Sequence, residues 1–359
     1  TIADGFTINY SGENGIHSGA ADLTLNAPVN VLKGGILSTG GTVTFGAGAN
    51  GTSFAADETG LIIDNTTLVL QTDLDVEFLK LLGTSTLQTN GKKLSPRHFD
   101  IGIQTELNLT DVVTDNDSSL SLLANSSITK NGDILLNEIN TNGYTLTLNP
   151  AITSLTAEKI YIPNYDNSSS NYMVSTGEFL AQGVDVTLTK PLWLEKGEMK
   201  MGAGTLTLEQ GGELGEDGEL DLTGSTLDLT GPFYNNKGKG TLTTSASTLS
   251  LKSNVKFEPG NDVTFSTFEP NGWGMVLHND MDNSSATTHL TLGTNGVDLL
   301  LQPNTEALTS GFVNYYSENG PEFSNDDHEI GIESHKVELT INGKLTLKDN
   351  ATILGYEED

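Results

Sequence analysis

Aromatic residues gather in three stretches of the chain, where they sit among Asn, Ser and Gly. Phe, Trp and Tyr make up 6% of the 359 residues, yet 157–182, 268–289 and 311–336 each hold several of them. Flat aromatic faces with polar neighbours suit stacking on sugar rings and require no charge on the ligand. We therefore predict that a neutral polysaccharide is bound by the following residues: Tyr161, Tyr165, Tyr172, Trp273, Tyr315, Tyr316 and Phe323.

A structural role for the same aromatic residues is the alternative. Large aromatic side chains are usually buried. A repeat protein also needs its open ends and sides covered, because an exposed core end would aggregate. The sequence leaves both interpretations open.

Acidic residues could hold a hard cation. Asp326 and Asp327 are adjacent, and carboxylate oxygens are the ligands that Ca²⁺ prefers. The run GGELGEDG at 211–218 is similar to the calcium repeats of toxin β-rolls, but it departs from their pattern and occurs once, which favours a solvated turn. The sequence therefore requires no cofactor, with calcium at Asp326 and Asp327 as the one candidate.

Catalytic motifs are missing from the sequence. It has no Gly-x-Ser-x-Gly elbow, phosphate loop or zinc signature. A lyase acting on uronic acids would need basic contacts to the substrate carboxylates, and Arg97 is the sole arginine. Asp and Glu are so abundant that pairs spaced as in a glycosidase arise by chance. We predict that the chain is not an enzyme and name no catalytic residue.

Charge and composition exclude several classes of partner. The chain has 47 acidic and 17 basic residues, a net charge of -30, which repels nucleic acid and anionic membrane surfaces. It has no cysteine, so stability cannot come from disulfides or a cysteine-bound zinc. We see no apolar run long enough to cross a bilayer. We expect an extracellular protein whose leader peptide, if it had one, has been removed ahead of Thr1.

A short pattern repeats through most of the sequence. The stretch GTLTLEQGGELGEDGELDLTGSTLDLTGPF alternates apolar with polar residues in bursts, with Gly between them. Such alternation predicts strands with one buried face. The apolar doublets are Leu23/Leu25, Val43/Phe45, Leu68/Leu70, Leu107/Leu109, Leu146/Leu148, Val186/Leu188, Leu206/Leu208, Leu227/Leu229 and Leu249/Leu251.

The spacing of the doublets indicates the fold. The last four start at 186, 206, 227 and 249, and a repeat of about twenty residues is the size of one β-solenoid coil, which buries its core by stacking on its neighbours. Dipeptides such as Asn90-Gly91, Asn142-Gly143 and Asp217-Gly218 predict turns. An antiparallel sandwich also uses such turns, but no repeat near 100 residues is present. We predict an all-β parallel β-helix, right-handed or a closely related β-solenoid.

The repeats around residues 184–252, such as Gly204-Thr-Leu-Thr-Leu, resemble the passenger domains of autotransporters and related β-helical bacterial surface adhesins. The tāpirins, cellulose-binding surface proteins with a β-helical core, offer an analogy of architecture. The resemblance implies a secreted or cell-surface location and a role in attachment or scaffolding. We also expect that the chain is part of a longer surface protein.

These observations give one preferred interpretation and two alternatives. We predict a single domain over 1–359 that acts as an adhesin, contacting a polysaccharide or host surface through loops at the three aromatic stretches, without nucleic acid or membrane insertion. A stalk, filament or matrix protein is the first alternative, and a polysaccharide-degrading enzyme is the second. Ice binding is disfavoured because the Thr positions drift to Asp, Ser and Glu.

Overall fold

The fold is the predicted all-β, parallel β-solenoid, with turns of roughly 21 residues. The computed structural model describes residues 8–10, 15–54, 60–103, 106–162, 177–235, 240–278, 288–293, 299–301, 330–335, 337–347 and 351–356. Apart from the short 3₁₀ helix η1 (Ala47–Ala49), their regular structure is β-strand. Within these ranges no helix has the length and apolarity that crossing a membrane requires.

Two compact units make up the chain, Thr1–Phe179 and Leu180–Asp359. The strands of each unit are described separately below, grouped by the parallel sheet to which they belong. Strands are numbered in chain order. The prediction of a single domain over 1–359 stays a prediction.

The first unit has four groups of parallel strands. The largest contains β2 (Ile16–Gly19), β5 (Gly35–Ser38), β8 (Gly60–Asp64), β10 (Leu74–Gly83), β12 (Leu94–Ile103), β14 (Ser119–Leu122), β16 (Gly132–Asn140) and β18 (Ile152–Tyr161). The others are β1 (Ile8–Tyr10), β4 (Val29–Val31) and β7 (Ser53–Phe54); β3 (Leu23–Leu25), β6 (Thr42–Phe45), β9 (Thr67–Leu70) and β11 (Thr86–Gln88); and β13 (Glu106–Asn108), β15 (Ser126–Thr129), β17 (Thr145–Leu148) and β19 (Glu178–Leu180).

The second unit also has four groups of parallel strands. The first contains β20 (Asp185–Leu188), β22 (Thr205–Leu208), β24 (Thr226–Leu229), β27 (Thr248–Leu251) and β30 (Thr267–Glu269). The second contains β21 (Leu192–Lys200), β23 (Gly212–Asp221), β25 (Phe233–Asn235), β26 (Thr241–Thr243), β28 (Val255–Glu258), β31 (Met275–His278), β34 (Ile330–His335) and β37 (Ala351–Tyr356). The smaller groups are β29 (Val263–Phe265), β32 (Thr288–Leu292) and β35 (Val337–Ile341), and β33 (Leu299–Leu301) with β36 (Leu345–Leu347).

The predicted doublets form the core. Of the eighteen residues of the nine pairs, seventeen are buried, and Leu23 is half-buried. In the second unit Leu206, Leu227 and Leu249 lie in register in successive coils, so each inward leucine packs on the one below it. Full burial of such a side chain contributes about 1.5–3 kcal/mol. The core is therefore a stack of columns, each built from one position of the repeat.

Two of the three dipeptides that predict turns do form them. Asn90 and Gly91 have φ values of 52° and 74°, and Asn142 and Gly143 have 49° and 79°, the left-handed region that Asn and Gly tolerate best. The turn predicted at Asp217-Gly218 is wrong, because both residues lie within β23. Gly218 is buried there and pairs with Gly197 of β21.

Candidate functional site

Two of the seven predicted aromatic residues lie in the described part of the chain. Tyr161 is half-buried at the end of β18, in register with Asn140. Trp273 is half-buried in the turn after β30, where its backbone N–H donates to the Pro270 carbonyl at 2.8 Å. The others lie outside the described residues: Tyr165, Tyr172, Tyr315, Tyr316 and Phe323.

An exposed tryptophan on β21 was not among the predicted residues. The side chain of Trp193 points outward because Leu192 and Leu194 on either side of it are buried, and it is 64% exposed. Strand register places Trp193 beside Glu213 of the next coil and Glu213 beside Tyr234 of the coil after that. We call Trp193, Glu213 and Tyr234 the aromatic ladder. Since neighbouring strands lie about 4.8 Å apart, the two strand positions that carry its rings are about 10 Å apart.

Both rings of the aromatic ladder are attached to a rigid scaffold. Tyr234 is half-buried, and the Lys256 ammonium lies 5.3 Å from its ring centroid, a cation–π contact worth about 0.5–1 kcal/mol at an exposed site. Because the backbone of β21 and β23 is fixed by parallel pairing over 192–200, a ligand that stacks on Trp193 does not have to order a loop. The ladder is a preorganised aromatic surface.

Farther along β21 and β23 from the aromatic ladder, most of the charged side chains are acidic. Glu198 and Glu219 are in register on β21 and β23, as are Lys200 and Asp221. The Lys200 ammonium lies 2.7 Å from the Glu198 carboxylate and Lys196 lies 3.5 Å from Asp217. Such exposed pairs contribute little stability. They neutralise part of the charge on this face, and the remainder disfavours an anionic ligand.

The glycine-rich run 211–218 neither forms a calcium loop nor follows the predicted solvated turn. Residues from Gly212 onward belong to β23, with Leu214 and Leu220 buried. The register between β21 and β23 shifts after Leu194, where β23 has one residue more, which is a β-bulge. The glycines allow close packing of coils: a Cβ on Gly215 would lie 2.6 Å from the Cα of Glu195.

Metal ligands do not converge in the described ranges. Over these residues no group of three His, Asp or Glu side chains is placed to hold a metal ion. Asp115 illustrates the common arrangement, since its Oδ1 accepts from the backbone N–H of Asp117 and the hydroxyl of Ser118, both at 3.0 Å. The predicted calcium ligands Asp326 and Asp327 lie outside the described residues, so calcium there stays a prediction.

A serine, a histidine and a glutamate meet on the outer face of the first unit. Nδ1 of His98 lies 2.7 Å from the Ser119 hydroxyl, and Nε2 lies 3.9 Å from Oε1 of Glu77. The second distance exceeds hydrogen-bond length, so Glu77 does not orient the ring as the acid of a triad does. Glu77 is instead 3.4 Å from Arg97. The cluster is an ion-pair network on the surface of the sheet.

Asp100 lies beside this network. Burial raises the pKa of Asp100 above its ordinary value, against the opposing effect of the Lys80 and His98 charges. The Lys80 ammonium is 3.8 Å from the Asp100 carboxylate. Because burial outweighs the attraction, the ion pair with Lys80 offsets only part of the cost of holding Asp100 in its charged form.

Threonines form one regular outer column in the second unit. Thr205, Thr226, Thr248 and Thr267 are in register on successive strands. The adjacent outer column reads Thr207, Asp228, Ser250 and Glu269, and Asp228 lies 3.4 Å from Lys252. The second column therefore shows the change from Thr to Asp, Ser and Glu that the sequence predicts. Its Asp228–Lys252 pair interrupts the flat array of hydroxyl groups that ice binding would need.

Three further ionisable groups form a stack across successive coils of the second unit. Nδ1 of His289 lies 3.0 Å from Oδ1 of Asp262, and Nε2 lies 3.3 Å from Oε2 of Glu338. The His289 backbone N–H also donates to Asp262 Oδ1 at 2.8 Å. We call Asp262, His289 and Glu338 the His289 stack. Its imidazole fills the space between the two carboxylates, where a hydrolase would place water and a sugar ring.

The His289 stack makes stability depend on pH. The Asp262 hydrogen bond, then the Asp262 and Glu338 charges, raise the pKa of His289 above 6.5, and the His289 hydrogen bonds lower the pKa of Asp262 below 3.8. The histidine contribution is complete below pH 6.5 and disappears as pH rises through the raised pKa. The aspartate contribution is complete above pH 3.8 and disappears as pH falls through the lowered pKa. The stack therefore stabilises most between about pH 4 and 6.5.

NMR titration of the His289 ring tests this assignment. We expect the Asp262→Asn variant to lower the His289 pKa more than Glu338→Gln does, because the hydrogen bond to Asp262 is the largest cause of the rise. An equal pKa in the parent and both variants would contradict the stack.

Comparison with known proteins gives no match: no family model, no curated protein and no solved structure is similar to this chain. The fold and the geometry above are therefore the basis for assigning a function.

Proposed function

We propose that this β-solenoid is an extracellular attachment protein whose aromatic ladder binds a neutral polysaccharide surface. A parallel β-solenoid is consistent with a surface or structural protein. The observation that carries the proposal is the 64% exposure of Trp193 on a rigid strand, in one outer column with Tyr234. An exposed indole loses the apolar burial that large side chains normally gain, and sugar stacking would restore it.

The spacing of the ladder suits a linear β-linked glycan. In such a chain every second sugar presents the same ring face, and two sugars span a length comparable to the 10 Å or so between alternate coils. Trp193 would then stack on one sugar, and Tyr234, whose ring lies under Lys256 on one face, would contact the second sugar with its remaining exposed surface. Glu213 between them would accept hydrogen bonds from hydroxyl groups. The carboxylates of Glu198 and Glu219, farther along the same two strands, favour an uncharged chain over a polyuronate.

Retention on insoluble polysaccharides tests the proposal. We expect the purified chain to be retained on at least one of cellulose, chitin and xylan, and Trp193→Ala to weaken retention about tenfold, since an aromatic stacking contact is worth up to about 1.5 kcal/mol. Tyr144→Ala, which removes a 40% exposed tyrosine of the first unit, is the matched control and should bind as the parent does.

A second variant addresses the aromatic stretches predicted from the sequence. Trp273→Ala/Tyr315→Ala/Tyr316→Ala removes aromatic residues from two of them without touching the ladder, and measurement with EDTA shows whether calcium contributes. Loss of retention in this variant alone would move the contact surface to those stretches. Failure of the parent on every matrix would favour the stalk alternative, which the regular stacking of coils also suits.

A further inference from the structure

We propose that a groove in the second unit, between β26 and β29, is a second binding site that takes a short, uncharged, polyhydroxylated ligand such as a disaccharide. The groove has a volume of about 560 Å³, within the range of small-molecule sites. It involves none of the three residues of the aromatic ladder, so either proposal can fail while the other holds.

The groove exists because two strands of successive coils are joined by side chains instead of a backbone ladder. Asn261 accepts from the Leu242 N–H through Oδ1 and donates to the Leu242 carbonyl through Nδ2, both at 3.2 Å. Thr244 Oγ1 accepts from the Thr264 N–H at 3.0 Å and donates to the Thr264 carbonyl at 2.9 Å. These four bonds satisfy the backbone groups of Leu242 and Thr264 that a neighbouring strand would otherwise pair. A peptide strand therefore gains little there, and a small polar ligand fits better.

Hydroxyl groups and an apolar floor give the groove its chemistry. Leu242 and Val263 line it and are buried, at 2% and 4% exposure. Exposed or half-exposed hydroxyl side chains surround this floor: Thr241, Thr243, Ser245, Thr264 and Ser266. A pyranose complements these side chains: its edge hydroxyls can meet the Thr and Ser hydroxyls, and the C–H groups of its ring face can contact the Thr methyl groups. Each such hydroxyl can donate and accept hydrogen bonds as the threonines and serines do.

Charge sets the class of ligand. Asp262 is the one ionisable residue among those that line the described groove, so an anionic ligand would meet repulsion without a compensating cation. The orientation of Asp262 is fixed because its Oδ1 accepts from both the backbone N–H and the ring of His289, at 2.8 and 3.0 Å. A carboxylate held in this way is a strong acceptor for sugar hydroxyls. The groove therefore favours neutral over acidic sugars.

Calorimetric titration with soluble sugars tests the site. We expect cellobiose or xylobiose to bind and digalacturonate to fail. Thr243→Trp should weaken binding at least tenfold by filling the groove from an exposed position, and Asp262→Asn should weaken it severalfold. Glu338→Gln, which alters the His289 stack without touching the groove, and Trp193→Ala should leave the affinity unchanged.

The outcomes separate this site from the aromatic ladder. Retention of Thr243→Trp on the insoluble polysaccharide that holds the parent would show that the variant is folded; circular dichroism and thermal unfolding provide the same control if the parent is not retained. The proposal is overturned if neither neutral disaccharide binds at millimolar concentration, if folded Thr243→Trp binds as the parent does, or if digalacturonate binds equally well.

Discussion

Phe257→Ala is expected to lower the free energy of unfolding by about 3–5 kcal/mol, the usual cost of deleting a buried aromatic ring. Phe257 has no solvent exposure and lies between two other fully buried rings. Its ring centroid is 5.7 Å from that of Phe233 in a stacked arrangement and 6.0 Å from that of Phe265 in an edge-on one. The alanine would leave a cavity that both neighbouring rings line, and parallel coils cannot close it without breaking register.

Urea-induced unfolding, extrapolated to water, measures this effect. Phe257→Leu is the control, because it refills most of the volume and should cost clearly less than the alanine. Hydrogen exchange adds a spatial test: since each coil of a solenoid is stabilised mainly by its neighbours, protection should fall first in β25 and β28. A loss below about 1 kcal/mol, typical of a surface substitution, would show that the three rings do not form a packed core.

The sequence predicts the core because the core follows a local rule. Residues two apart on a strand share a face. The inward orientation of pairs such as Leu206/Leu208 can therefore be predicted from the local sequence alone. The register of Leu206 with Leu227 then follows from the repeat length. Coil size, parallel stacking and the buried doublets could all be predicted for this reason.

Strand lengths could not be predicted in the same way. Each apolar burst of the sequence predicts a separate short strand, but β10 continues over ten residues. Leu74 and Val76 face inward, and so do Leu79 and Leu81. The three-residue step from Val76 to Leu79 shows that alternation slips by one position while the chain continues in strand conformation. Two bursts on one continuous strand have the same sequence pattern as two strands joined by a turn.

Part of the candidate site could likewise be predicted from the sequence, and part could not. Trp193 could have been found, because the alternation in Leu192-Trp193-Leu194 already places the indole outward. It lies outside the three aromatic stretches. Its pairing with Tyr234, two coils away, depends on exact strand register across a bulge. The groove beside Asn261 depends on one side chain replacing a strand, which the sequence pattern does not reveal.

Gly60→Ala is expected to destabilise the first unit by about 3 kcal/mol, at the upper end of the cost of overpacking. Gly15, Gly35 and Gly60 approach the next coil in the same way. A Cβ on Gly15 would lie 2.2 Å from the Gly35 carbonyl oxygen, and one on Gly35 would lie 2.6 Å from that of Gly60. A Cβ on Gly60 would lie 1.9 Å from the carbonyl oxygen of Phe78, and Phe78 is the residue in register with Gly60 on the next coil.

Thermal unfolding provides the measurement, with an expected fall in Tm of roughly 6–12 °C for a unit of this size. Gly91→Ala is the matched control: Gly91 has φ 74° and open space around its Cβ position, so alanine there costs only the conformational penalty of about 1–2 kcal/mol. The comparison separates two reasons for a glycine in a solenoid, backbone conformation at a turn and close approach between coils. If Gly60→Ala costs no more than Gly91→Ala, the coils can move apart at this point and close approach does not explain Gly60.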